Sequence, residues 1–159
     1  MLCYAVASWV LGFSTLVEPA QVPFFASYPD EFYYLTIQRC NSTAEWSIHG
    51  LWPNFGNGSW PEYCVPDVDY DPTQITPDTL DDMYAEWYSC GGMSDQQFWD
   101  HEVAKHYTCV FNDTWTQEDY FSNGIELYWA SLRSPTMREY CGGEECMIPW
   151  SIDLQTILW

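Results

Sequence analysis

Residues 31–40, EFYYLTIQRC, are aromatic and β-branched and predict a buried strand. EWSIHGLWP (45–53) predicts a second, short strand that Gly50 and Pro53 terminate. From Asn54 to Pro66 Gly, Asn, Ser and Pro dominate, the composition of a loop. The period then changes. In TPDTLDDMYAEWYSC (76–90) a capping Thr or Asp precedes Leu80, Met83, Tyr84 and Trp87 at helical spacing. A second helix is predicted over 94–109, SDQQFWDHEVAKHYTC, capped by Ser94 or Asp95, and a third over 116–132. The tail mixes Gly, Cys and Pro and closes with a strand at MIPWSIDL. Strands and helices are partly segregated, so the fold class is α+β, a central antiparallel sheet packed against several helices.

Composition adds a core and a strong charge. Ten Trp, twelve Tyr and eight Phe in 159 residues are enough for one packed domain, placed over 21–159. The formal net charge is −19. Such a surface repels nucleic acid, so a polyanionic substrate has to be held by a local cationic site rather than a broad basic face. An acidic medium relieves the self-repulsion, because carboxylates protonate as pH falls towards about 4.

Residues 1–17, MLCYAVASWVLGFSTLV, carry no charged side chain. They are long enough for a signal-peptide core, placed over 1–20, and marginal for a membrane span, although no basic residue precedes the apolar run. The competing reading is a buried first strand or helix. Removal of the segment takes Cys3 with it and leaves Cys40, Cys64, Cys90, Cys109, Cys141 and Cys146, an even number for three disulfides among fifteen connectivities. Asn41, Asn57 and Asn112 each begin a glycosylation sequon. Together these predict a glycoprotein that is secreted or held in a lysosomal or vacuolar lumen, with no stable membrane association.

The candidate chemistry lies in FWDHEVAKHYTC (98–109), which holds the only lysine and two of the three histidines. On a helical wheel with His101 at zero, Lys105 falls at about 40°, Glu102 at about 100° and His106 at about 140°, while Trp99, Val103 and Tyr107 face the core. Two histidines, a carboxylate and an ammonium on one face can bind a phosphate and shuttle protons. The bland alternative is a solvated face with incidental ion pairs. A zinc site of the H-E-x-x-H kind needs its histidines four apart; here they are five apart with a lysine beside the second, which argues against metal.

WSIHGLWPNFGNGSWPEYC (46–64) and FWDHEVAKHYTC together resemble the two active-site segments of the ribonuclease T2 family. I-H-G-L-W-P of the first segment is unchanged at 48–53, and the second matches at His101, Glu102, Lys105, His106, Thr108 and Cys109. The resemblance implies an endoribonuclease that cleaves single-stranded RNA by transesterification through a 2′,3′-cyclic phosphate, with no metal and no cofactor. It assigns His106 as general base and His49 as general acid, Lys105 and Glu102 to the charged phosphorane, and His101 to the phosphate. Trp52 and Trp60 are the expected base-stacking platform, and Asn54 stands where many members have an aspartate that contacts the base. The family pattern pairs Cys64 with Cys109; analogy with plant members pairs Cys40 with Cys90, leaving Cys141 with Cys146. RNA is the expected partner, DNA is not a substrate for want of a 2′-hydroxyl, and the protein is expected to act as a monomer.

Two positions depart from the family pattern. Tyr107 replaces a glycine expected to end the helix in a left-handed conformation, which a tyrosine adopts reluctantly, and Val103 replaces a tryptophan. The stretch before the last cysteines is also short, so the domain reads as shortened near its C-terminus. These departures keep a second reading open, a catalytically silent relative acting as a secreted binding or storage glycoprotein.

Overall fold

The computed structural model describes residues 28–41, 45–134 and 141–155; the expected signal segment lies outside them. Strands β1 (Glu31–Gln38), β2 (Ser47–Phe55) and β3 (Glu145–Ser151) form an antiparallel sheet in the order β2-β1-β3. The central position of β1 explains its apolar run: Phe32 and Thr36 are buried on one face, Tyr33, Leu35 and Ile37 on the other. The second set, with Ile48, Leu51, Ile148 and Trp150, meets the helices in one core.

Strand β2 does not end at Gly50 or Pro53 but runs on to Phe55. It is an outer strand, and the Tyr120 hydroxyl reaches both the N–H and the carbonyl of Leu51, so that edge of the backbone faces away from β1. Pro53, two residues on, turns its nitrogen the same way and breaks no ladder bond. Gly50 marks an irregularity instead. Thr36 pairs with Gly50 and Ile37 with Ile48, leaving His49 as an extra residue, a β-bulge. The bulge shifts the alternation so that Ile48 and Leu51, three apart, both enter the core.

Helix α1 (Pro77–Glu86) starts at Thr76, whose hydroxyl accepts from the N–H of Thr79. Helix α2 (Asp95–Lys105) and helix α3 (Gln117–Arg133) each open with a capping box, Ser94 with Gln97 and Thr116 with Asp119. Helix α2 stops four residues before the predicted end; residues 107–109 tighten into a 3-10 turn. Of the apolar positions in α1, Met83 is buried but Tyr84 is 48% exposed. Trp87, the C-cap of α1, packs on α3 at Gly124, where a Cβ would lie 2.6 Å from its ring. Disulfides join Cys40 to Cys90, Cys64 to Cys109 and Cys141 to Cys146, the three expected pairs.

Candidate active site

The bulge decides where His49 goes. Register places Gly50, Trp52 and Asn54 of β2 on one face with Tyr34 and Thr36 of β1 and Met147 of β3. The displaced His49 ring comes over this face, with its centroid 5.0 Å from that of Trp52. A bulge leaves backbone groups without ladder partners. The carbonyl of His49 is taken up by the Trp87 indole N–H at 2.9 Å, and the Trp87 carbonyl by the Trp99 indole at 2.6 Å.

Helix α2 sends Trp99 and Val103 into the core and Phe98, Glu102 and His106 towards β2. Trp52 is the hub. His106 stacks on it at 5.0 Å and 19°, and its indole N–H donates to Glu102 Oε2 at 3.0 Å. Gly50 is what admits this contact: a Cβ there would lie 2.1 Å from both Glu102 Oε2 and Trp52 Nε1. A cavity of about 250 Å³ opens beside the cluster, lined by Asn54, Trp60, Lys105, His106 and Met147 with Trp52.

The wheel grouped the polar residues of α2 correctly, but the patch is not a solvated face. Glu102 is 1% exposed and His106 5% exposed. Burial pushes the Glu102 carboxyl up to about 8, against the opposing pull of the Trp52 hydrogen bond and the Lys105 charge. Burial, then the positive charges of Lys105, His101 and His49, hold His106 down at about 3. Both groups are therefore uncharged from mildly acidic to neutral pH. His101, half-buried, is lowered by burial and then by Lys105 and His49. Lys105 lies 3.7 Å from Glu62 Oε2, and its carbonyl accepts from the Tyr63 N–H. The Cys64–Cys109 bridge and the Cys64 N–H to Thr108 Oγ1 bond tie that loop to the end of α2.

His49, Trp52, Glu102, Lys105 and His106 are brought together, with His101 within electrostatic reach. Trp60 is 60% exposed at the cavity rim. One face of Trp52 is taken by His106, and Asn54 donates its amide N–H to the Trp52 carbonyl. Tyr107 does not take the left-handed conformation expected of its position: only Tyr63, Asp67 and Leu154 do so among described non-glycine residues. The 3-10 turn carries it instead, its hydroxyl donating to the Trp115 carbonyl. Among the described residues, no group of three or more His, Cys, Asp or Glu could hold a metal ion.

Residues 23–136 match the sequence profile of the ribonuclease T2 family. The chain belongs to that family. Ribonuclease 3 of Arabidopsis thaliana is 41% identical over 92 residues, 57% of this chain and 40% of the relative. Ribonuclease DdI of Dictyostelium discoideum is 34% identical over 117 residues, 70% of this chain and 51% of the relative. The chain thus spans about half or less of the length of these curated relatives. Ribonuclease MC1 from bitter gourd seeds superposes with a TM-score of 0.63 at 18% identity, covering 79% of this chain and 92% of that one, which places the α+β fold.

Three residues of this ribonuclease T2 site, Glu145, Tyr120 and Glu62, were not singled out from sequence, and Trp87 was read only as a helix position. Glu145 accepts from His49 Nδ1 at 2.9 Å, Trp87 and Tyr120 bind the β2 backbone, and Glu62 faces Lys105. Trp87 carried the signal of its helical spacing and Tyr120 that of the third helix; Glu145 and Glu62 carried none.

Proposed function

We propose that the protein is a metal-independent endoribonuclease that cleaves single-stranded RNA to 2′,3′-cyclic phosphate ends. The observation that carries this reading is a buried, uncharged His106 and a half-exposed His49 that both pack their rings against Trp52 at 5.0 Å, beside a cavity lined by Lys105. His106 takes the proton of the ribose 2′-hydroxyl; burial and the neighbouring positive charges hold its proton affinity low, and a phosphate anion beside it raises that affinity. The 2′-oxygen attacks phosphorus, and His49 gives a proton to the departing 5′-oxygen. Lys105 supplies positive charge to the phosphorane, with His101 beside it. Glu102 Oε2 is engaged by Trp52, while its buried Oε1 has no protein partner among the described residues. In its neutral form Glu102 adds no negative charge beside the phosphorane and holds the Trp52 indole, polarising the site without touching the substrate. Water then opens the cyclic phosphate with the two histidine roles exchanged. Trp60 and Asn54 at the cavity receive a base.

The disulfides support folding in an oxidising compartment, secreted or luminal. So do the sequons: Asn41, Asn57 and Asn112 are exposed, and the carboxamide oxygens of Asn57 and Asn112 accept from the Ser59 and Thr114 hydroxyls at 2.7 Å.

The test is incubation of the secreted protein with mixed-sequence RNA at about pH 5 in excess EDTA. The expected result is cyclic phosphate ends from the parent, reduced about 10²–10⁴-fold in His49→Ala and in His106→Ala. A folded parent that cuts no RNA would point to the silent binding role instead.

A further inference from the structure

We propose that Glu145 is a positioning residue for the general acid, fixing the ring orientation and tautomer of His49; this rests on the ribonuclease reading above. Three observations meet at this contact. The first is the hydrogen bond itself, Glu145 Oε1 to His49 Nδ1 at 2.9 Å. A carboxylate only accepts, so Nδ1 carries the hydrogen and Nε2 is the nitrogen left for the leaving oxygen. A bulged residue has no neighbouring ladder pair to fix its side chain, and His49 is half-exposed, so its ring needs a tether from elsewhere.

The second observation is how the sheet delivers that tether. Glu145 pairs with Gln38, and Met147 with Thr36, so the two lie on the β1 face that also carries Gly50 and Trp52. Alternation sends Cys146, between them, into the core. The two catalytic histidines thus come from β2 and α2, while the tether comes from the opposite outer strand, across β1.

The third is what holds Glu145 in place. The Cys141–Cys146 bridge closes a short loop ending one residue beyond it. The Arg39 N–H donates to the Glu144 carbonyl at 2.8 Å, extending the pairing past the strand end. The carboxylate itself is 53% exposed and buries nothing of consequence, so its removal should leave the fold intact.

Kinetics and ring spectroscopy on the full chain test this together. Glu145→Ala should lower kcat about tenfold while KM stays within about threefold, the pattern of a group that aims the acid rather than binds substrate. Glu145→Gln keeps an acceptor oxygen and should recover kcat to within about threefold of the parent. In ¹⁵N-histidine-labelled protein at alkaline pH, with His49 assigned from a His49→Asn sample, the parent and Glu145→Gln should show the Nδ1–H tautomer. Glu145→Ala should revert to the mixture of a free imidazole. Parent-like kcat in a folded Glu145→Ala variant, or an unchanged tautomer, overturns the proposal. So does a Gln variant as slow as the Ala variant. A parent that cleaves nothing overturns the ribonuclease reading instead, and the ¹⁵N spectra then decide the Glu145 contact by themselves.

Discussion

Two residues govern the chemistry through space and charge rather than by touching substrate. Gly50 leaves room for the Trp52–Glu102 hydrogen bond, and neither neighbour can retreat: Trp52 is held by His106 and Glu102 by burial. Gly50→Ala is therefore expected to displace the Trp52 indole and cut kcat about tenfold or more. The readout is the change in tryptophan near-UV dichroism together with the rate. Glu102 carries a pH signature of the opposite sign to that of His106. Its folded-state affinity for a proton is raised from 4.5 to about 8, so its contribution to stability is full below about pH 4.5 and is lost as pH climbs to about 8. His106, lowered from 6.5 to about 3, contributes fully above pH 6.5 and loses that contribution as pH falls through 3. Glu102→Gln should accordingly abolish a stability loss on the order of 2–4 kcal/mol between about pH 5 and pH 8. Urea denaturation at the two pH values measures it; equal slopes in parent and variant would show that Glu102 is not buried as described.

Among the elements, the end of α2 depends most on a covalent tie. Cys64–Cys109 spans 45 residues and brings the loop bearing Trp60 and Glu62 against Lys105. Replacing both cysteines by alanine should cost about 4 kcal/mol of stability from loop entropy. It should also raise KM through a loosened cavity rim, both measurable at a temperature where the variant stays folded. Helix starts were legible because Thr76, Ser94 and Thr116 each precede an apolar period with a backbone-binding hydroxyl. Strand ends were not, because the terminators are conditional. Pro53 stops a central strand but not an outer one, and nothing in EWSIHGLWP states that β2 lies outside. The clustering of Glu102, Lys105 and His106 followed from the helical period alone. Their burial did not, since a wheel shows which residues share a face and not what covers it. Glu145 was invisible for a related reason: its meeting with His49 is created by two strand pairings with β1, 96 residues apart in sequence.

The whole molecule sets a field that the site must overcome. A net charge of −19 surrounds a site whose standing positive charge is Lys105, so on the proposed function an RNA strand approaches against repulsion. Screening that repulsion should raise kcat/KM as salt increases from about 10 to about 150 mM at neutral pH, the reverse of a nuclease with a basic face. Steady-state rates across that range check it, and a monotonic fall would mean that local contacts to the phosphate dominate the encounter.

The extra residue in β2 has a consequence for engineering. Ile48 and Gly50 already sit opposite adjacent residues of β1, so deleting His49 would join them into an uninterrupted ladder while keeping Ile48 and Leu51 in the core. The shortened strand is more regular than the natural one. Random libraries screened for heat resistance alone would thus be expected to discard this residue readily, trading the reaction for a better sheet.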